Sequence, residues 1–526
     1  MTGWPDADLL AVWAATSPEA LAVIHAGDGS AASRNEPDNA DRLTYADLDA
    51  LVDDLARRLS TLGVCPGTHV ATLLNTGLPF ITVVHALGRL GAVLVPLNVR
   101  LTGGELSGHC ERVGVETLLC DAEQVEQATA VAEELDIDLT IGRVDDEHGN
   151  GESADTDPVR VWSHDPADSL PRVERSPADR RLVLFTSGTT GKPKAVPLTT
   201  GNLVASAVGS AFRLGVVPDD RWLCALPMYH MGGLAPVFRS TLYGTCVVLQ
   251  STFDAEYTPA VARTHEVTGL SLVPTMLARI LDGDADLPDS LRFVLLGGGR
   301  ADPVLVERAD SAGVPVCPTY GMTETASQIA TARPAEAVAH EGTVGRPLLG
   351  TDVSIVDEQG TPVEAGDVGE VVVSGPTVTP GYLDDAVTER SFGPRGLHTG
   401  DLGYRDDGNR LWITGRRSDR IVTGGENVDP VEVREALCSH PAVADAAVVG
   451  LDDEEWGERV GALVVVSDGE TAELERPDSE ALRAYCRDRL AGYKLPRTIE
   501  FADALPRTPS GTVDRTAVQV RLGNPE

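Results

Sequence analysis

The segment 181–196 reads RLVLFTSGTTGKPKAV, a strand-like run that opens into Thr186, Ser187, Gly188, Thr189, Thr190, Gly191 and Lys192. Glycines let backbone amides approach an anion closely, and hydroxyls and an ammonium add donors and charge, so the composition suits a phosphate. The spacing G-x-x-x-x-G-K-[ST] is absent, which excludes a Walker A loop. A Ser/Thr/Gly loop also serves elsewhere as a plain solvated turn. Lysine usage separates the two readings. The chain has three lysines, Lys192, Lys194 and Lys494, among 43 basic residues, and two of them stand in this loop. A compact ammonium differs from a planar guanidinium at a phosphate, so the loop is expected to bind one.

The elements that must hold such a loop follow a βαβ rhythm. HVATLLN and AVLVPLN read as strands flanking the helical PFITVVHALGRLG, and the strand VETLLCD follows the helical GGELSGHCERVG. That alternation predicts an α/β fold: a large N-terminal domain, residues 1–416, with mixed or parallel sheets covered by helices. Residues 145–168, polar and acidic, read as a loose surface loop. Beyond about residue 400, DLGYRDDGNRLWITGR reads as a hairpin turning at 406–409. DPVEVREALCSHPAVADAAVVG then reads as helix, turn and strand, and DSEALRAYCRDRLAGYK as a further helix. Residues 417–526 are expected to form a small mobile α+β domain, hinged near Arg416 to Asp419. No internal repeat is visible.

Composition narrows the partners. Eighty acidic against 43 basic residues give a net charge of −37, spread along the chain. Self-repulsion of that size fits a salt-rich cytoplasm with a short Debye length, which also suits the scarcity of lysine better than an acidic mesophile does. With no basic stripe, nucleic acid is not an expected partner. The N-terminal text has no cationic start with a long apolar run, and no run is long enough for a membrane span, so a cytoplasmic protein is expected. The eight cysteines form no CxxC pair and read as buried free thiols rather than a zinc site.

TSGTTGKPKAV resembles the phosphate loop of the adenylate-forming superfamily, which includes acyl-CoA synthetases, firefly luciferase and peptide-synthetase adenylation domains. Three further signatures follow in order: TYGMTETA at 319–326, HTGDLG at 398–403 and TGRRSDRIVTGGENVDPVEV from 414. The resemblance covers nearly the whole chain. It implies ATP, Mg²⁺ and coenzyme A, with a small carboxylic acid as substrate and a homo-oligomer left open. Tyr320 and Gly321 would lie near adenine, Thr323 would contact phosphate and Glu324 would bind magnesium. Asp401 would hold the ribose hydroxyls and Arg416 would contact the nucleotide. The small domain would swivel around Arg417, Ser418 and Asp419, with Gly424 and Gly425 lining the pantetheine tunnel. His230, in LCALPMYHMGGLAP, would orient the acyl carboxylate, while Gly298 and Gly299 of LLGGGRADP would run beside adenine and acyl group.

Within the superfamily the wording is closest to the o-succinylbenzoate–CoA ligases of menaquinone synthesis, in LLGGG, TYGMTETASQI, GTVGRPL, SGPTVTPGY and RRSDRIVTGGENV. A substrate with a second carboxylate needs a cation or donors for it, for which Arg300 and Ser327 are candidates. Arg300 stands where that group would carry proline, and ordinary surface placement is its alternative. A medium-chain or aromatic acyl-CoA ligase is the runner-up. One departure matters. The family carries a catalytic lysine in a phrase like LPRTxSGKxxR, and this chain reads LPRTPSGTVDR, with Thr512 at the lysine's place. A hydroxyl cannot supply that charge. Lys494, Arg507 or Arg515 would substitute, or adenylation would be slower, or the chain would be an adenylation-deficient binding protein.

Overall fold

A computed structural model describes residues 8–27, 40–135, 140–144, 159–186, 193–283, 286–417, 421–423, 426–453, 456–467, 477–487, 489–508 and 512–523. The chain folds into two compact units, one made of residues 1–353, 373–397 and 409–411, the other of 354–372, 398–408 and 412–526.

Two large sheets organise the first unit. The seven-stranded sheet runs in the order Val159–Arg160, Thr140–Arg143, Thr117–Cys120, His69–Leu73, Val93–Pro96, Arg180–Thr186, Lys194–Thr199. It is parallel except at its last pair, where Arg180–Thr186 and Lys194–Thr199 run antiparallel with Thr186 opposite Lys194. The nine-stranded sheet has a parallel centre, Val316–Tyr320, Phe293–Leu296, Gly269–Leu272, Arg221–Cys224, Cys246–Leu249 and Leu21–His25, with antiparallel strands at both edges. Central strands such as Thr117–Cys120 and Phe293–Leu296 are buried along their whole length, as a sheet covered on both faces requires.

The helices between strands form for local reasons. Thr102 and Glu105 close a capping box on Gly103–Val113, and Thr199 and Asn202 close one on Thr200–Leu214. The helix Leu78–Leu90, apolar nearly all round, lies between sheet and helices with eight of its residues buried, and Gly91 ends it at φ +70°. These are the βαβ units that the sequence predicts.

In the second unit, Val443–Asp453 and Gly457–Val466 make a long antiparallel pair, extended by Ile421–Thr423, Glu426–Val428 and Thr498–Ala502. Alternate residues face opposite cores: Ala446 and Val448 pack with Val433 and Leu482, while Val449 and Leu463 pack with Val518 and Leu522. This is the expected α+β arrangement. The hairpin of Gly396–Arg405 and Leu411–Arg416 also forms, with Asn409 at φ +60° in its turn.

Three expectations need correction. Within 145–168, Val159–Arg160 is a strand and Val161–Ser163 a helical turn, because Val161 is fully buried and the Trp162 indole donates to the Val144 carbonyl. The helix expected across 478–494 stops at Arg487, and Gly492–Lys494 is a separate single turn. Cys65 is exposed rather than buried and Cys438 half-buried, while the other six cysteines are buried.

Candidate active site

The strand Val316–Tyr320 turns back through residues 321–328 to pair with Ala330–Thr331. The turn is tight: a Cβ on Gly321 would lie 1.6 Å from the Ser327 carbonyl oxygen, so only glycine fits. Thr323–Thr325 forms one 3₁₀ turn, after which Ala326 and Ser327 take φ +51° and +105°, two consecutive non-glycine residues in sparsely populated backbone. Ser206 holds this bend by donating to the Ala326 carbonyl at 2.7 Å. The loop therefore gathers Tyr320, Gly321, Thr323, Glu324 and Ser327 in one tight bend.

Glu324 is 5 % exposed. Its Oε1 accepts the Tyr382 hydroxyl at 2.9 Å, and its own carbonyl accepts the Thr379 amide at 2.7 Å. Burial, then the Glu324 carboxylate beside it, push the Tyr382 phenol above its ordinary range, so Tyr382 stays a donor. The segment 379–383 also grips the phosphate-loop hairpin. Thr379 donates to the Pro197 carbonyl, the Leu383 amide to the Ala195 carbonyl, and the Lys194 ammonium lies 5.1 Å from the Tyr382 ring centroid. Thr186 and Lys194 thus face each other at the mouth of the hairpin, and one tyrosine connects the hairpin to the candidate magnesium carboxylate. The expected residues Ser187, Gly188, Thr189, Thr190, Gly191 and Lys192 lie outside the described residues. Sequence reasoning does not find Tyr382, because a tyrosine after SGPTVTPG carries no chemical spacing of its own.

His230 caps the helix Met231–Tyr243 with its backbone, its carbonyl accepting the Gly233 and Leu234 amides. Its ring meets Tyr229 edge-on at 4.8 Å. Burial, and secondarily the positive charge of Arg100, lower its pKa, which favours a neutral imidazole able to donate or accept a hydrogen bond. Further along the same helix, Arg239 is 2 % exposed. Its guanidinium donates to Ser206 at 3.4 Å and lies 5.6 Å from the Trp222 ring centroid, its Nε has no hydrogen-bond partner, and no carboxylate among the described residues pairs with it. A buried charge without a counter-ion is costly, and here the Trp222 ring face and the Ser206 hydroxyl offset part of that cost. Nothing in the local text marks it, since one arginine among forty looks ordinary.

The glycine segment leaves the strand Phe293–Leu296, and Gly298 takes φ +74°, which favours glycine. Gly298 and Gly299 are exposed, as is Arg300.

In the second unit, Asp401 is 6 % exposed and accepts from the Arg416 Nε at 3.0 Å. The turn before it is held by Glu370, which accepts from the Gly400 amide at 3.2 Å, meets the His398 ring nitrogen at 3.1 Å and accepts from Arg417 at 3.2 Å. Glu370 therefore joins the HTGDLG turn to the first hinge residue, a role that the sequence around GEVVVSG does not reveal. Ser418, Asp419, Gly424 and Gly425 lie outside the described residues. Lys494 donates to both Glu432 oxygens at 2.7 Å, which raises its pKa further. Arg507 pairs with Asp445. Thr512 closes a turn on Thr508, with hydroxyls 2.7 Å apart and the Thr508 amide donating to its carbonyl at 2.7 Å. Among the described residues no group of three or more His, Cys, Asp or Glu could hold a metal, and no helix is long and apolar enough to cross a membrane.

Residues 10–383 match the model of the AMP-binding enzyme family, and residues 432–512 that of the AMP-binding enzyme C-terminal domain. The chain is 38 % identical over 478 residues to 2-succinylbenzoate–CoA ligase of Bacillus licheniformis, covering 90 % of this chain and 94 % of that protein. To the ligase of the same name from Geobacillus kaustophilus it is 40 % identical over 476 residues, 88 % and 90 % of the two chains. Its fold matches o-succinylbenzoate CoA synthetase of Bacillus subtilis in complex with its acyl-adenylate intermediate, with a TM-score of 0.86, 34 % identity and full coverage of both chains. The same synthetase in complex with ATP and a magnesium ion matches with a TM-score of 0.84 and 34 % identity, over 98 % of this chain and 99 % of that one.

Proposed function

This chain belongs to the AMP-binding enzyme family and is an AMP-forming acid–CoA ligase, and we propose that the acid it activates is o-succinylbenzoate, the step that yields o-succinylbenzoyl-CoA in menaquinone synthesis. In such a reaction a carboxylate oxygen attacks the α-phosphorus of ATP and pyrophosphate leaves. The CoA sulfur then attacks the acyl carbon, giving up its proton, and AMP leaves. A carboxylate is a poor electrophile, so the protein's task is to align the reactants and neutralise developing charge.

The residues of the TYGMTETAS loop suit that task. Tyr320 with Gly298 and Gly299 would flank adenine, Thr186 and the loop through Lys192 would cradle the phosphates, and Asp401 would take the ribose diol. One buried, hydrogen-bonded carboxylate, Glu324, fits Mg²⁺, a cation that keeps its remaining positions for phosphate and water. When bound, that ion would supply charge neutralisation on the phosphates. Neutral His230 would orient the acyl carboxylate, and the hinge at Arg417, Ser418 and Asp419 would let Gly424 and Gly425 reach the pantetheine arm in the second half-reaction.

The observation that carries the choice of acid is the 38 % and 40 % identity to two 2-succinylbenzoate–CoA ligases over 90 % and 88 % of this chain. A dicarboxylate activated at one end needs donors for its second carboxylate, for which Ser327 is a candidate. Exposed Arg300 is the weaker candidate. Thr512 favours a second reading, an adenylation-deficient nucleotide- or acyl-binding protein, because its hydroxyl contributes no charge. ATP–pyrophosphate exchange at molar KCl with o-succinylbenzoate, benzoate and octanoate decides between them. Exchange with o-succinylbenzoate alone is expected. Exchange with octanoate or benzoate instead would make the chain a medium-chain or aromatic acyl-CoA ligase, and none with any acid would favour the binding protein.

A further inference from the structure

The first unit contains a cavity of about 530 Å³ walled by three helices, Leu78–Leu90, Thr200–Leu214 and Met231–Tyr243. Its lining includes none of the residues that the adenylation motifs bring together. Leu203, Phe238 and Leu242 give it apolar walls, and Arg181 enters from the strand Arg180–Thr186. The Arg181 Nη2 donates to the Val84 carbonyl at 2.6 Å, but Nη1 is shut off from solvent with no hydrogen-bond partner. The guanidinium carbon stands 5.9 Å from the Phe238 ring centroid.

Several of the other charged groups around the cavity are engaged with one another. Arg89 pairs with Asp8 at 2.8 Å and with Asp49, Arg175 reaches Asp8 at 4.0 Å, and Arg180 points to His69. His85 shares a hydrogen bond with the Thr241 hydroxyl. Glu174 and Asp179 line the cavity as well, yet no carboxylate among the described residues pairs with Arg181. Burial pushes its pKa down to about 10 against the pull of the Asp8 carboxylate, which leaves it cationic at neutral pH.

The helix beneath makes room for this charge. A Cβ on Gly88 would fall 1.8 Å from the Arg181 Nη2, so a larger residue at mid-helix position 88 would make the Arg181 side chain shift. Glycine there costs about 1 kcal/mol against alanine. A cationic group at the wall of a cavity, with apolar side chains opposite it, has the form of an anion-binding anchor with an apolar body site beside it.

We propose that this cavity is a second ligand site, separate from the adenylating site, which takes a small apolar carboxylate with its charge on Arg181 and its body against Leu203, Phe238 and Leu242.

The test is calorimetric titration of octanoate into the full chain at molar KCl, run on the wild type, Arg181→Met and Val204→Phe, with AMP titrated into each as a control. Val204 lines the cavity, so the larger side chain fills it. The expected result is a ~10- to 100-fold loss of octanoate affinity in Arg181→Met, the value of a charge-assisted hydrogen bond. A comparable loss is expected in Val204→Phe, with AMP affinity unchanged in both. Arg181→Met removes an unpaired buried charge and should fold with an equal or higher Tm. Wild-type octanoate affinity in either variant, or no octanoate binding to the wild type up to its solubility limit, would overturn the proposal.

Discussion

Glu324 and Tyr382 form a buried acid–phenol pair at 2.9 Å, and the phenol faces the Lys194 ammonium from the other side. If that carboxylate carries the magnesium ion, Glu324→Gln should lower pyrophosphate exchange ~10²–10³-fold and raise the Mg²⁺ concentration needed for half-maximal rate. An unchanged Mg²⁺ requirement would remove Glu324 from that role. The missing lysine gives a second prediction. Thr512→Lys restores a preorganised cation and should speed the first half-reaction, whereas Lys494→Ala slows it only if Lys494 leaves its Glu432 ion pair during the reaction. Separate rates for adenylation and thioester formation distinguish these outcomes. Residues with motif context, such as Glu324, Asp401 and His230, are readable in the sequence, because their neighbours in the text mark them out. Tyr382, Glu370 and Arg239 are not. Each acts through a partner between 28 and 58 positions away or through burial, and neither property is written in local spacing.

The turn 321–328 depends on one missing side chain. Gly321→Ala would place a methyl carbon 1.6 Å from the Ser327 carbonyl, which forces the bend open. The expected result is loss of most adenylation activity, with a fold that far-UV circular dichroism still reports as native. Activity within twofold of wild type would mean that the bend has another arrangement of equal use. The large elements are legible in the chain: apolar four-residue runs such as TLLC and VLVP suit strands covered on both faces, and the helices between them are bounded by caps and glycines. The short edge strands Ala330–Thr331 and Arg346–Pro347 are not, because two residues carry no periodicity and their pairing is decided by the loop that joins them. Helix ends are less legible than helix cores for a similar reason: the apolar pattern of DSEALRAYCRDRLAGYK continues past Arg487, where the helix ends.

A net charge of −37 on 526 residues makes the whole molecule sensitive to its ions. Raising KCl shortens the Debye length from about 10 Å at 0.1 M to about 3 Å at 1 M. Tm should therefore rise over that range, and a flat or falling Tm would sink the salt-rich reading of the composition. Acid has the opposite effect. Burial lowers His85 and His109 to about 4 from an ordinary 6.5, so between those values the unfolded chain binds protons that the folded one refuses. Their contribution to stability is complete above about pH 6.5 and declines as pH falls toward 4, which urea midpoints across that window would register. The lysine distribution has a practical consequence as well. An amine-directed acylating reagent meets three lysine side chains, one held by Glu432 and one facing Tyr382, with Lys192 in the loop between Thr186 and Lys194. If the loop holds ATP phosphates as proposed, labelling yields at three peptides would follow nucleotide occupancy and the Glu432 contact together, and the chain would report on its own two half-reactions without an added probe.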